Sequence, residues 1–325
     1  MPETKSYDVV IVGGGVAGLT AALYAGRARL SAVVLEKMAA GGQAVITELI
    51  ENYPGIKTVT GHDLSQVMED QAKSFGAEIV FEEISEIRVE NRKKIAIGSE
   101  ALYEGKAMIL ATGGEPRKLG IPGETEYRGR GVSYCAVCDG AFFRDKRISV
   151  VGGGDSALQE SLYLARMVEK LTLVHRRDQF RGSKILQDRV LSNARISIVW
   201  NSVVEEVVGN HKLQGLQLTN RQTGAKDFME TDGLFIYVGF EPNSGFLQGL
   251  VDTTADGYII TDEKMQTSMP GIYAAGDVRK CPIRQLVTAA SDGAVAAVTA
   301  EKYIEEQAHF SFQPSAFSSQ PKNLL

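Results

Sequence analysis

The sequence predicts an α/β fold of two similar three-layer ββα domains, the second inserted in the first. Three observations carry this. A β-branched run meets a glycine-rich turn twice, once near the start of the chain and once near its middle. Each turn is followed by residues at helical spacing and then by a second apolar run. Two short stretches with turn and proline chemistry, Gly113 to Pro116 and Gly239 to Asn243, bracket the second of these units like linkers.

Tyr7 to Val12 reads as a strand buried on both faces of a parallel sheet. It runs into Gly13, Gly15 and Gly18 in G-x-G-x-x-G spacing, a helix from Leu19 to Arg29, and a second strand from Ala32 to Leu35. The pattern returns as Arg147 to Val151, then Gly152, Gly154 and Ser156, a helix to about Arg166, and Leu171 to Val174. Between the two lie an amphipathic helix, Gly61 to Phe75, short alternating segments around Ile79 to Val89 and Lys93 to Ile97, and a strand over Ala107 to Ala111. Hairpin-like runs, Ile196 to Val208 and Leu213 to Thr219, follow the second unit. Past the second linker, Gly257 to Thr261 and Gly271 to Ala275 read as strands and Leu286 to Gln307 as a long helix. The expected division is 1–113 and 245–307 for one domain, 117–241 for the other, and 308–325 for a C-terminal tail.

The two turns favour opposite charges. In a Rossmann-like turn the first glycine permits the bend, the second admits a pyrophosphate, and the third lets helix and strand pack closely. At the end of the second strand stands Glu36, whose carboxylate accepts from ribose hydroxyls and repels a 2′-phosphate, so the first site suits FAD or NAD and not NADP. At the same offset in the second unit stands His175, followed by Arg176, Arg177 and Arg181. Guanidinium forks pair with phosphate oxygens, which suits NADPH; the bland alternative is a solvated basic turn. Two sites of opposite preference in one chain point to electrons passing between two cofactors, with a flavin as the intermediary.

Cys135 and Cys138 form a C-x-x-C. Such thiols close a small ring on oxidation and exchange readily. A zinc site needs four ligands, and Cys281, His62, His175, His211 and His309 show no ligand spacing, so no metal is expected. A buried, inert pair is the other alternative. Asp139 either serves the sulfurs as general acid and base or caps a helix. Composition excludes further classes. With 35 Lys plus Arg against 40 Asp plus Glu, no positive field gathers nucleic acid. No apolar run crosses a membrane, and the opening residues lack a signal pattern, so a cytoplasmic protein is expected.

The motifs GGGVAG at 13–18, GGQ at 41–43, ENYPG at 51–55, ATG at 111–113, RKLGIPGE at 117–124, CAVCDG at 135–140, GGGDSA at 152–157, HRRDQFR at 175–181, YAAGD at 273–277 and RQ at 284–285 together resemble the low-molecular-weight thioredoxin reductases, FAD-dependent pyridine nucleotide-disulfide oxidoreductases. The resemblance runs from about Tyr7 to Ile304. It implies that Gly42, Gln43, Asn52, Thr112, Gly276, Asp277, Arg284 and Gln285 join Glu36 in holding FAD, and that the subunits form a homodimer. It also implies a rotation about the two linkers, and a thioredoxin or similar small disulfide protein as substrate. In this resemblance Cys138 exchanges with flavin and Cys135 attacks the substrate.

Three departures stand out: Gln159 precedes Glu160 in the helix after the second turn, Cys281-Pro282-Ile283 replaces a tyrosine before Arg284, and the tail carries Phe310, Phe312 and Phe317. An aromatic tail stacked on the flavin would fit an enzyme of the same architecture fed by ferredoxin or a second flavin. A non-catalytic redox sensor is the alternative from another class.

Overall fold

The computed structural model describes residues 3–47 and 49–311. The chain divides into two compact units, one taking the chain up to Gly114 and again from Pro242, the other running from Glu115 to Glu241.

The outer unit begins with β1 (Glu3–Val12), α1 (Val16–Arg27) and β2 (Ala32–Glu36), followed by α2 (Gly61–Ser74) and β3 (Glu78–Phe81). α1 starts at Val16, three residues earlier than the spacing predicts, because the glycine turn itself supplies its cap at Gly15. Thr60 caps α2, its side chain accepting from the Asp63 N–H at 3.0 Å. A meander of β4 (Glu86–Glu90), β5 (Lys93–Ile97) and β6 (Ala101–Leu110) completes this half. β3, β2, β1 and β6 run parallel, while β5 pairs antiparallel with the first half of β6.

Strand alternation divides the apolar residues between two faces. Val9, Ile11 and Val34 pack with the alanines of α1, and Val10, Val12, Val33 and Leu35 pack with Ile87, Ala96 and Tyr103 of the meander. The result is a helix layer, a parallel sheet and an antiparallel layer.

After a short connecting strand, β7 (Gly114–Pro116), the inserted unit repeats this plan. It comprises β8 (Val132–Ser133), α3 (Ala136–Asp139), β9 (Arg147–Gly152), α4 (Asp155–Leu164), β10 (Lys170–Val174), α5 (Lys184–Leu191) and β11 (Ile196–Val199). Then come β12 (Ser202–Gly209), β13 (Leu213–Asn220), β14 (Lys226–Glu230) and β15 (Gly233–Tyr237). The parallel sheet has the order β11-β10-β9-β15-β8, and β12-β13-β14 form a separate antiparallel sheet. Ile148, Val150, Leu171 and Leu173 pack toward α4; Val151, Val174, Leu234 and Ile236 pack toward the antiparallel sheet. The run Ile196 to Val208 is therefore two strands in different sheets, broken where Asn201 takes a positive φ of 54°.

The chain returns through β16 (Phe240–Pro242) to β17 (Ile272–Ala274) and α6 (Leu286–Ser311). β17 lies parallel to the second half of β6. Gly257 to Thr261, expected as a strand, contributes only isolated bridges through Ile259 to Thr253 and Arg279. α6 continues past Gln307 through the start of the expected tail, and Phe312 and Phe317 lie outside the described residues. Among the described residues no helix is long and apolar enough to cross a membrane.

Both crossings are tied locally. Within the inserted unit the Arg117 N–H donates to the Gly239 carbonyl at 2.8 Å. Within the outer unit the Asn243 N–H donates to the Gly113 carbonyl at 3.0 Å. There, too, the Thr112 hydroxyl donates to the Asn243 carbonyl at 2.7 Å and the Asn243 amide to the Thr112 carbonyl at 3.0 Å.

Candidate functional site

The first turn is built by close contact. Gly13 has φ 106°, and a Cβ there would come within 2.3 Å of the Ala111 carbonyl oxygen; a Cβ on Gly18 would come within 1.9 Å of the Gly13 oxygen. Gly15, by contrast, faces open space, and no side chain caps the first turn of α1. Free helix N–H groups and that space suit a pyrophosphate. Glu36, at the end of β2, accepts from the Gly14 N–H at 2.7 Å through Oε2 and from the Met38 N–H at 3.0 Å through Oε1. A carboxylate offers about four acceptor positions, so it keeps lone pairs for ribose hydroxyls.

Other residues of the resemblance converge on this unit. The Asn52 amide donates to Gln285 Oε1 at 2.9 Å, and Gln43 Nε2 donates to the Gly114 carbonyl at 3.3 Å. Gly276, φ 75°, approaches Ala17 of α1, and its N–H donates to Asp292. Burial, with Asp292 nearby, pushes the Asp277 carboxyl above its ordinary range against the pull of Arg284. The Arg284 guanidinium lies over the Tyr258 ring, 4.3 Å from its centroid. Thr112 is engaged with Asn243 through its hydroxyl proton, which leaves that oxygen only as an acceptor. Cys281 is a half-buried free thiol whose pKa burial raises. Cradle and donor set together fit FAD.

The second turn has the same backbone and a different clasp. Gly154 faces open space and α4 has no side-chain cap. The Arg181 and Gly182 N–H groups donate to the Gly153 carbonyl at 2.7 and 3.1 Å, and the Ser183 N–H donates to Asp155 Oδ1 at 2.6 Å. These bonds fold the arginine loop onto the turn. His175 is buried; its Nδ1 lies 2.7 Å from the Gly152 carbonyl and its Nε2 3.0 Å from the Gln179 carbonyl. His175, expected among the residues holding the nucleotide, thus has both ring nitrogens against backbone carbonyls of the turn and its loop, and as a neutral ring donates to one of them. Burial keeps its imidazole below the ordinary value, aided by Arg177 and Arg181 and opposed by the two carbonyls. Arg176, Arg177 and Arg181 are exposed, and among the described residues no carboxylate pairs with them. Ser156 is exposed beside Gly154. Three unpaired guanidinium groups beside an uncapped helix start fit a 2′-phosphorylated dinucleotide.

The thiols lie in the same inserted unit. Cys135 and Cys138 are joined as a disulfide. Cys135 precedes α3, and its sulfur accepts from the Cys138 N–H at 3.1 Å, a donor that favours negative charge there. Cys135 is half-buried and Cys138 exposed. Asp139 stands at the start of the 3-10 turn Gly140–Phe143, but its side chain makes no capping bond there; its Oδ2 accepts from the Ser133 hydroxyl at 2.6 Å.

The approach to Cys135 is fastened by Glu124, which is buried and accepts from the Tyr134 hydroxyl at 2.6 Å and the Leu119 and Gly120 N–H groups. Burial alone would raise Glu124, but these hydrogen bonds outweigh it and hold its carboxyl below the usual range. Ser133, Tyr134 and Tyr237, which stand near Asp139 or the segment leading to it, were not foreseen. Glu124 was visible only as the last letter of RKLGIPGE.

A disulfide and an arginine-lined turn in one unit, with a carboxylate-lined turn in the other, define a flavin-dependent disulfide oxidoreductase. A family model described as pyridine nucleotide-disulphide oxidoreductase matches residues 7–293, and the chain belongs to that family. It is 49% identical to the thioredoxin reductase of Listeria monocytogenes over 305 residues, covering 94% of this chain and 96% of that one. The crystal structure of Lactococcus lactis thioredoxin reductase superposes with a TM-score of 0.91 at 45% identity, covering 92% of this chain and 99% of that one. A ferredoxin-flavin thioredoxin reductase from Clostridium acetobutylicum is more distant, with 29% identity and a TM-score of 0.52 over 94% of this chain and all of that one.

Proposed function

We propose that this chain reduces a thioredoxin, or a similar small disulfide protein, with electrons from NADPH, and that it works as a homodimer in the cytoplasm. The observation that carries the reading is the Cys135–Cys138 disulfide held beside Asp139 in the unit that presents Arg176, Arg177 and Arg181. Gly13, Gly15, Gly18, Glu36, Gly42, Gln43, Asn52, Thr112, Gly276, Asp277, Arg284 and Gln285 would hold FAD, which when bound would supply two-electron chemistry between the hydride donor and the disulfide.

The residues of this chain do the rest. Gly152, Gly154 and Ser156 receive the pyrophosphate of NADPH, and the three arginines select its 2′-phosphate. Cys135, as thiolate, attacks one sulfur of the substrate disulfide; a new S–S bond forms, the substrate S–S bond breaks, and Asp139 gives its proton to the departing sulfur. Cys138 then attacks Cys135, which releases the second substrate thiol and restores the enzyme disulfide. Each cycle uses NADPH and one proton and yields NADP⁺ and a dithiol. The Cys138 N–H aimed at the Cys135 sulfur supports Cys135 as the attacking group.

Anaerobic stopped-flow mixing tests the donor, and the Cys135→Ser variant tests the thiol roles. NADPH bleaches the visible flavin band rapidly in both proteins, whereas only the unaltered one turns over thioredoxin. Bleaching by reduced ferredoxin and not by NADPH would move the chain to the ferredoxin-fed class. Bleaching without any disulfide turnover in the unaltered protein would make it a sensor.

A further inference from the structure

Asp139 is held by a residue that none of the recognised motifs contains. Ser133 is the last residue of β8 and only 4% exposed. β8 pairs parallel with β15, Phe235 opposite Ser133, so a strand of the parallel sheet fixes its position. The Cys135 N–H donates to its oxygen at 3.1 Å. Its own hydroxyl proton has two acceptors within reach, Asp139 Oδ2 at 2.6 Å and the Cys135 carbonyl at 3.2 Å. A hydroxyl donates one proton, and the shorter bond to a carboxylate takes it. The chain of bonds therefore runs from the backbone of the attacking cysteine, through Ser133, to the acid.

Among the described residues no other side chain donates to the Asp139 carboxyl. Tyr237, at the end of β15, has a buried hydroxyl without a hydrogen-bond partner among the described residues; the Ala136 N–H approaches its oxygen without reaching hydrogen-bond geometry. Burial, with Glu160 and Asp139 near, pushes its phenol far up, so it stays protonated and cannot serve as the base. A carboxyl at the end of a four-residue helix swings freely about two bonds unless something holds it.

We infer that Ser133 is the positioning residue of the thiol–disulfide exchange, aiming the Asp139 carboxyl at the sulfur that departs when Cys135 attacks. The inference rests on the acid role proposed for Asp139. No atoms are added to the balance already written: Ser133 keeps its proton throughout, and the proton delivered is the one on Asp139.

The test uses the flavin-loaded protein with its thiols reduced by dithiothreitol and the reductant removed, so that neither NADPH nor thioredoxin is needed. Single-turnover exchange is measured with two disulfides. A dialkyl disulfide releases an ordinary thiol, which needs a proton to leave. 5,5′-Dithiobis(2-nitrobenzoate) releases a stabilised aromatic thiolate, which leaves without one.

Ser133→Ala slows exchange with the dialkyl disulfide about ten-fold, the order of one orienting hydrogen bond, and leaves exchange with the aromatic disulfide unchanged. Ser133→Thr, which keeps the hydroxyl, restores the rate. In an Asp139→Asn background, Ser133→Ala adds no further loss. Equal slowing on both disulfides, multiplication of the two losses, or no slowing with either disulfide would overturn the inference; the flavin band shows that each variant is folded. If the unaltered protein exchanges well but NADPH fails to bleach it, the proposed donor fails and the role of Ser133 stands.

Discussion

The two glycine turns share a backbone and differ in the direction of one hydrogen bond. At the first, Glu36 reaches back from the strand end and accepts the Gly14 N–H. At the second, the residue at the same place, His175, lies beneath the turn with Nδ1 against the Gly152 carbonyl. A Cβ on Gly153 would come within 2.2 Å of that ring, so glycine there makes room for it. With a neutral ring under the turn, the charges exposed beside it are those of the residues beyond, Arg176, Arg177 and Arg181. The charge each turn presents thus follows from whether the strand-end residue is a carboxylate on the turn or a ring beneath it.

The largest effect expected from this comparison concerns the third position of the turn. The second turn carries Ala157 there, buried and tolerated, whereas a Cβ on Gly18 would meet the Gly13 oxygen. Gly18→Ala costs the outer unit roughly 1–3 kcal/mol or more, and the purified protein loses its flavin absorbance; a variant that stays yellow would make the two turns equivalent. The next effect is on selectivity. Arg177→Ala with Arg181→Ala removes two charged contacts of about 1.5–3 kcal/mol each, so the KM for NADPH rises at least ~100-fold while that for NADH and the kcat hold.

The smallest effect is on pH dependence. The folded imidazole of His175 sits below its ordinary value, so the fold prefers it neutral. The stability it contributes is present above the unfolded pKa of about 6.5 and is lost as pH falls through that value. Thermal unfolding at pH 7.5 and 5.5 shows the inserted unit losing stability, and His175→Gln loses less.

What the sequence made legible was local. Gly13 to Gly18, Glu36 and the arginine loop announce themselves because turn, helix start and strand end are consecutive. Ser133 does not, since its meaning comes from pairing with Phe235, a hundred residues on. The stretch Gly257 to Thr261 has strand-like residues but no strand slot, because Ile272–Ala274 lies beside the second half of β6. α5 was missed for the opposite reason: it buries only Val190, so it carries no apolar stripe to read. His175 shows the limit of counting from a motif: the offset locates the residue, but only the structure shows its ring against the Gly152 and Gln179 carbonyls.

The pairing of Arg117 with Gly239, and of Thr112 and Gly113 with Asn243, gives the architecture an evolutionary meaning. A segment whose two ends are already neighbours can be gained, lost or exchanged by one recombination event without opening a gap in its host. The unit that carries the disulfide and the arginine loop is, in this sense, a cassette, which can be replaced while its host scaffold is inherited intact.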